Sequence, residues 1–358
     1  MNSPQTHSVK HYQYFQLHMR KFVFVIPIIF SCLCFSCKDD SPVQKAVDDF
    51  RAGIITEDSL LTFVSDSVNA KETFDWATRN HSKDDMADWF LGRAYKFGLG
   101  VDRDPIKSKA YYISACKAGN GNAMSGLAQI YLSYPGQENL DSAYYWFNEA
   151  IQHGQADSYF FVSQVDIQRN IQKGLPIDTA KVIDFWEKGV NANSPLCISS
   201  LAALYYSGDG VVEPNKTKAF NMLALLPQEK LNDVSSYLLG EMYELGEGTN
   251  QNFNAALSFY KQSASKGNTN AICKLGNFYQ LGQGVERNDS LAFIQYNKAA
   301  NAGNPWGQRC VANCYYDGIG TERNIATANQ WYKTAAKGGD IEAIKYCDRN
   351  KLEYKPVG

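Results

Sequence analysis

Three arrangements of residues in this chain could do chemistry. The first is a Gly-x-Gly pair, at Gly98/Gly100, Gly208/Gly210, Gly246/Gly248, Gly282/Gly284 and Gly318/Gly320. Such glycines cradle phosphates when a strand precedes them and a third glycine opens a helix. Here they follow helix-like apolar spacing and recur, the last three pairs at intervals of 36 residues, so they read as structure. The second is Ser-x-x-Lys, at Ser114–Lys117 and Ser263–Lys266. An acyl-transfer serine of that type needs Ser-Asp-Asn and Lys-Thr-Gly partners, and neither occurs. The third is metal ligation. Cys310 and Cys314 lie one helical turn apart and could supply half of a zinc site. Beyond Cys37 the only histidines are His81 and His153, with no Cys-x-x-Cys or His-x-x-x-His. Cys314 falls on an inward face, so these two thiols read as small core residues. No metal and no cofactor is expected.

Lys and Arg number 35 against 37 Asp and Glu, a formal net charge of −2. The first 36 residues hold Lys10, Arg20 and Lys21 and no acid, which leaves the remainder at −5. That remainder has no basic run, which argues against a nucleic-acid partner. The 22 Tyr, 19 Phe and 6 Trp suit helix pairs that pack through aromatic rings.

Residues 1–36 have the layout of a targeting segment, with the functional start expected at Met19. Arg20 and Lys21 precede an apolar stretch, residues 22–35, too short to cross a bilayer core of about 30 Å as a helix. The stretch closes on Cys34-Phe35-Ser36-Cys37 and then Lys38-Asp39-Asp40. This resembles a bacterial lipoprotein signal with Cys37 as the lipidated residue, and the acidic run resembles a tag that takes some lipoproteins to the cell surface. The implied location is exported and membrane-anchored, at the outer membrane or the cell surface. An ordinary cleaved signal is the alternative.

Seven tiles can be laid out, with first helices starting near Ala87, Ala123, Ser158, Cys197, Ser235, Ala271 and Gly307. A tyrosine recurs at 95, 131, 205, 243, 279 and 315, and a closing Gly or Asn at 119, 154, 193, 267, 303 and 339. Within one tile Ala271, Leu275, Phe278 and Tyr279 share a helix face. Gly276 allows close approach of the partner helix. Gly282 stops the helix in the left-handed conformation. Asn288 caps the second helix, as do Asp104, Asn139, Asp178, Asn252 and Asn324. Ala292, Ala299 and Ala300 receive the next tile. Six cysteines follow Cys37, and free thiols are expected for most, with one bridge among Cys310, Cys314 and Cys347 as the alternative.

The pattern resembles the SEL-one-like repeat, a relative of the tetratricopeptide repeat, most clearly in "LGRAYKFGLGVDRDPIKS" (91–108), "QYNKAANAG" (295–303) and "KTAAKGG" (333–339). The resemblance implies an all-α, right-handed α–α superhelix of about seven helix-turn-helix repeats over residues 87–348. A lipidated N-terminus and helical cap would occupy 37–86 and a tail 349–358. The third tile departs, with Asp166 in place of tyrosine, and the fourth has Leu226-Pro227 in place of the alanine pair. The resemblance also implies a protein or peptide partner, held along a stripe of the first helices: Trp89, Arg93, Lys96; Tyr237, Glu241, Glu244; Asn277, Gln280; and Arg309, Asn313, Tyr316. The function expected is a non-enzymatic interaction scaffold. The alternatives are an envelope hydrolase or β-lactam-binding enzyme, and a secreted signalling or immunity factor.

Overall fold

The computed structural model describes residues 41–354, apart from 53 and 56. Among the described residues there are 18 α-helices, one short 3-10 turn and no strand. The targeting segment and Cys37 lie outside the described residues. The described chain forms two compact units, residues 41–252 and 253–354.

The first unit opens with α1 (Pro42–Arg51), α2 (Glu57–Ser65) and α3 (Ser67–Asn80). Ser41 caps α1, with Pro42 at its first position. Val43, Val47, Leu60, Val64 and Trp76 join Phe90 and Leu91 in one apolar core, so these helices cover the open side of the first tile. Helix pairs follow as α4 (Asp85–Phe97) and α5 (Pro105–Lys117), α6 (Gly121–Leu132) and α7 (Gln137–Gln152), α8 (Ser158–Gln172) and α9 (Thr179–Asn191), α10 (Pro195–Ser207) and α11 (Lys216–Ala224). After α11, Pro227 introduces the 3-10 turn Gln228–Lys230. The unit ends on α12 (Asp233–Leu245).

The second unit contains α13 (Phe253–Ser265), α14 (Thr269–Leu281), α15 (Asp289–Asn301), α16 (Pro305–Asp317), α17 (Ile325–Lys337) and α18 (Ile341–Arg349). From α14 onward each helix packs on the one before it. Isolated helices of 13 residues are marginal in water. What holds them is burial of one face between neighbours, as in any stacked repeat.

The Gly-x-Gly pairs are explained by this stacking. The first glycine is a left-handed helix terminator: Gly98, Gly246, Gly282 and Gly318 have φ between 70 and 77° and return their N–H to the helix. The second touches the preceding pair. A Cβ on Gly284 would lie 2.8 Å from the Phe253 carbonyl oxygen, and one on Gly320 would overlap that of Asp289. Between these turns the recurring tyrosine contributes its carbonyl. Asn288 N–H donates to Tyr279 O at 2.8 Å, and Asn324 N–H to Tyr315 O at 2.7 Å.

Several expectations need adjustment. A Cβ on Gly276 would overlap the Tyr296 ring, and one on Gly92 would lie 2.7 Å from Tyr112 Cδ1. The glycine therefore seats a tyrosine ring of the second helix, not a backbone. Asn139 is not a cap, because α7 already starts after Gly136, and its amide donates to Pro135 O. The third tile still forms a helix pair. Its odd residue, Asp166, is buried and paired with Lys181 Nζ at 2.7 Å. Asn193 is left-handed, φ 60°, as its place at a helix end requires. All six described cysteines are buried free thiols, and burial raises those of Cys116, Cys197, Cys310 and Cys314 to about 12. The bridge alternative is not realised.

Candidate binding groove

The residues that raised enzymatic chemistry are committed elsewhere. Ser114 Oγ donates to Asp88 Oδ2 at 2.5 Å, while Lys117 points to solvent. Ser263 is fully buried. Asp88 is itself buried and also meets His81 Nδ1 at 2.5 Å and the Ser82 N–H at 3.2 Å. Ser82 Oγ lies 3.1 Å from His81 Nε2 and 3.4 Å from Nδ1. A hydroxyl in line with the Nε2 lone pair would be much farther from Nδ1. Ser82 therefore stands over the ring, and the Ser–His–Asp trio lacks the in-line contact that activates a nucleophile. Among the described residues no three His, Cys, Asp or Glu side chains are grouped to hold a metal ion.

A groove of about 450 Å³ opens in the first unit, across the first helices α4, α6 and α8. From α4 it takes Trp89, Arg93, Lys96 and Phe97, and from α6 Asn122, Ser125 and Gln129. Phe161 of α8, Asp157 and Tyr112 complete much of the wall. Trp89 was expected as an exposed stripe residue. It is only 2% exposed, because the α3 and α4 aromatics enclose it, and it serves as floor. The Arg93 guanidinium lies 5.5 Å from the Trp89 ring and 5.2 Å from that of Phe97. Lys96 Nζ donates to Gln129 Oε1 at 2.9 Å. Burial, with the Arg93 charge adding to it, lowers Lys96 to about 8. Two cations thus share a partly dry wall.

The remaining stripe residues fall into two sets. In the first unit Tyr237 Oη donates to Glu241 Oε1 at 2.8 Å, and Tyr206 Oη to Glu247 Oε2 at 2.9 Å. Burial first, and then the surrounding carboxylates, push both phenols up. Lys216 pairs with Glu247 and holds its carboxyl low. In the second unit the stripe is occupied from within. Tyr296 Oη donates to Asn277 Oδ1 at 2.7 Å and lies 2.8 Å from Gln280 Oε1. Tyr332 Oη donates to Asn313 Oδ1 at 2.6 Å. Arg309 is ion-paired with Asp340 at 2.9 Å. Tyr316, at 39% exposure, stands edge-on to Tyr346.

Sequence reasoning missed Tyr112, Ser125, Gln129 and Phe161 as wall residues. Ser125 and Gln129 were within reach of it, since they sit 36 residues after Trp89 and Arg93.

A second inter-tile contact recurs at the helix starts. Asn120 caps α6 and donates to Asp85 Oδ2 of the previous first helix at 2.8 Å. Asn304 caps α16 and donates to Thr269 Oγ1 and Asn270 Oδ1. One cap thus both starts its helix and fixes it to the preceding tile. The family model that matches this chain is the Sel1 repeat, over residues 85–120, 121–155, 195–225, 234–268, 269–304 and 309–340. The chain belongs to the Sel1 repeat family. The unmatched interval contains the third tile, where sequence departs and the helix pair persists. Sel1 repeats are typically protein-interaction modules. The chain is 27% identical to the Sel1-repeat-containing protein YjcO of Escherichia coli K12 over 161 residues, 44% of this chain and 67% of that one. Among solved structures it is similar to c5321, a protective antigen of uropathogenic E. coli with an SLR fold. That match has TM-score 0.58 and 21% identity over 87% of this chain and 68% of that one. It is also similar to a Sel1 repeat protein from Oxalobacter formigenes, with TM-score 0.52 and 21% identity over 91% and 97%. These likenesses establish the fold class, the all-α helix-pair solenoid.

Proposed function

We propose that this chain is a non-enzymatic interaction scaffold that binds a segment of a partner protein along the first helices, chiefly in the groove of residues 41–252. The groove itself carries this reading. It combines an aromatic floor, amide side chains that both donate and accept, and charge on its wall, and such mixtures suit polypeptide recognition. The stripe residues Tyr237, Glu241 and Glu244 would extend that contact. Asn277, Gln280, Arg309 and Asn313 would add little, being spent on internal bonds, and Tyr316 would offer its exposed ring.

We further propose that the chain is exported and held on a membrane, at the outer membrane or cell surface, by lipid on Cys37. The apolar stretch 22–35 before that cysteine supports this. Several acyl chains, at about 0.8 kcal/mol per buried methylene, suffice for stable anchoring. Labelled palmitate should enter the wild type and not Cys37→Ala, and the variant should leave the membrane fraction. Incorporation at an unchanged level in Cys37→Ala would refute the anchor. Crosslinking in cells followed by mass spectrometry should recover a partner whose capture is lost in a Gln129→Ala, Phe161→Ala variant that keeps the wild-type circular dichroism and melting temperature. Nitrocefin turnover lost on Ser114→Ala would instead establish the enzymatic alternative.

A further inference from the structure

The groove of the first unit holds a set of neutral polar groups that the chain itself leaves open. On α6, Asn122, Ser125 and Gln129 stand at i, i+3 and i+7 and form one stripe along the middle helix of the groove. The Asn122 amide makes no hydrogen bond among the described residues, and neither does the Gln155 amide just before α8. Chemistry fixes the orientation of Gln129. An ammonium can only donate, so the atom 2.9 Å from Lys96 Nζ is the amide oxygen. The Gln129 NH2 then has no acceptor among the described residues. Ser125 Oγ and Ser158 Oγ share one hydrogen bond at 2.8 Å, which leaves one of their two protons unused. Tyr112 lies beneath the same helix, 1% exposed, and lines the groove. A Cβ on Gly126 would lie 3.3 Å from its hydroxyl oxygen, and Gly126 lines the groove as well. That hydroxyl makes no hydrogen bond among the described residues, whereas the matching phenols of Tyr296 and Tyr332 are bonded to Asn277 and Asn313. Buried phenols normally find a partner.

These open groups are uncharged and of both kinds. The Gln129 NH2 and the Tyr112 hydroxyl can donate, while the Asn122 and Gln155 amides can donate and accept. Their complement is a peptide main chain, which offers one N–H and one C=O per residue. A helical segment has spent those groups on itself, so the complement is an extended one. Neighbouring helices pack about 8–10 Å apart. The span from α4 across α6 to α8 is then about 16–20 Å, or about five or six residues at about 3.3 Å each. We propose that the groove holds its partner by the main chain of an extended segment. The segment's carbonyls take the Gln129 amide and the Tyr112 hydroxyl, and its N–H groups go to Asn122 and Gln155. This rests on the groove reading above and specifies what is recognised. Main-chain bonds supply affinity, and alternate side chains of the segment meet the Trp89 and Phe161 rings. Capture is therefore tolerant of sequence, with a preference for apolar residues at every second position.

The test uses the immobilised full chain and two randomised decapeptide libraries. One is of ordinary peptides. In the other every second amide is replaced by an ester, which removes N–H donors at nearly the same size. The peptide library should be retained about tenfold over the ester library, as the loss of one or two net hydrogen bonds predicts. That ratio should fall towards parity in an Asn122→Leu, Gln155→Leu variant that keeps the wild-type circular dichroism and melting temperature. Gln129→Glu, which keeps an acceptor for Lys96 and loses the NH2, should lower retention of the peptide library about threefold, and so should Tyr112→Phe. Equal retention of the two libraries by the wild type overturns main-chain recognition while leaving peptide binding intact. Retention of neither overturns the groove reading as well. Better retention of a third library, doped with the helix-favouring α-aminoisobutyrate, overturns the extended form. Displacement of the peptide library by chitohexaose, lost in the Asn122→Leu, Gln155→Leu variant, would show a saccharide site and overturn the polypeptide assignment.

Discussion

The first tile and the sixth use one backbone for opposite purposes. Both place a glycine against a tyrosine ring, and both carry two polar side chains at matching positions of the first helix. In the sixth tile those side chains are Asn277 and Gln280, and the phenol of Tyr296 closes on them. In the first they are Arg93 and Lys96, which can only donate, and the groove stays open. The seat is a packing feature shared by these two tiles. The two positions above it differ: in the sixth tile they meet the phenol, and in the first they line the groove. A solenoid can thus vary its binding surface without altering its stacking.

The comparison can be broken at several strengths. Gly276→Ala and Gly92→Ala should each destabilise by about 2–3 kcal/mol in urea unfolding, since a methyl meets the tyrosine ring in both tiles. A cost in only one of them would show that the seats are not equivalent. Arg309→Ala should cost about 2 kcal/mol by leaving the largely buried Asp340 carboxylate without its cation. Chemical denaturation at two salt concentrations should find this loss nearly independent of ionic strength. Tyr296→Phe should cost about 1 kcal/mol, the worth of a made hydrogen bond, whereas Tyr112→Phe should be neutral or slightly stabilising. Equal losses would mean that the Tyr112 phenol has a partner within the chain.

The smallest effect concerns Lys96. Its folded-state value of about 8 lies below the 10.5 of an ordinary lysine. The folded chain therefore bears a cost for the charged form below pH 8, which is relieved as pH rises from about 8 towards 10.5. Lys96→Met should be more stable than wild type by about 1 kcal/mol at pH 7, with the difference vanishing towards pH 10.5. Thermal melts across that range would check it. A wild type more stable than the variant at pH 7 would mean that Lys96 is held by an anion within the chain.

The repeat was legible because its determinants are local. The Gly282 stop, the Asn288 cap and the Leu275–Tyr279 face act within one helix or turn, and a period of 36 residues multiplies weak signals. The stacking residues Ala299 and Ala300 were legible for the same reason, since small side chains recur where helices touch. Asn139 misled because a cap is defined by where the helix starts, and Gly136 started it earlier. The site was less legible. The stripe positions followed from helix spacing, but spacing does not reveal which side chains are already bonded. Asn277, Asn313 and Arg309 looked available, yet phenols and a carboxylate from neighbouring helices occupy them.

By itself the sequence determined the all-α class, the helix-pair period, the turns and the absence of a familiar catalytic motif, because these depend on contacts within a few residues. Only the tertiary structure decided that Trp89 is floor and that Tyr112 lines the same groove. Those outcomes depend on which groups from separate helices arrive at the same place, and a linear pattern does not encode the competition among donors and acceptors that meet there.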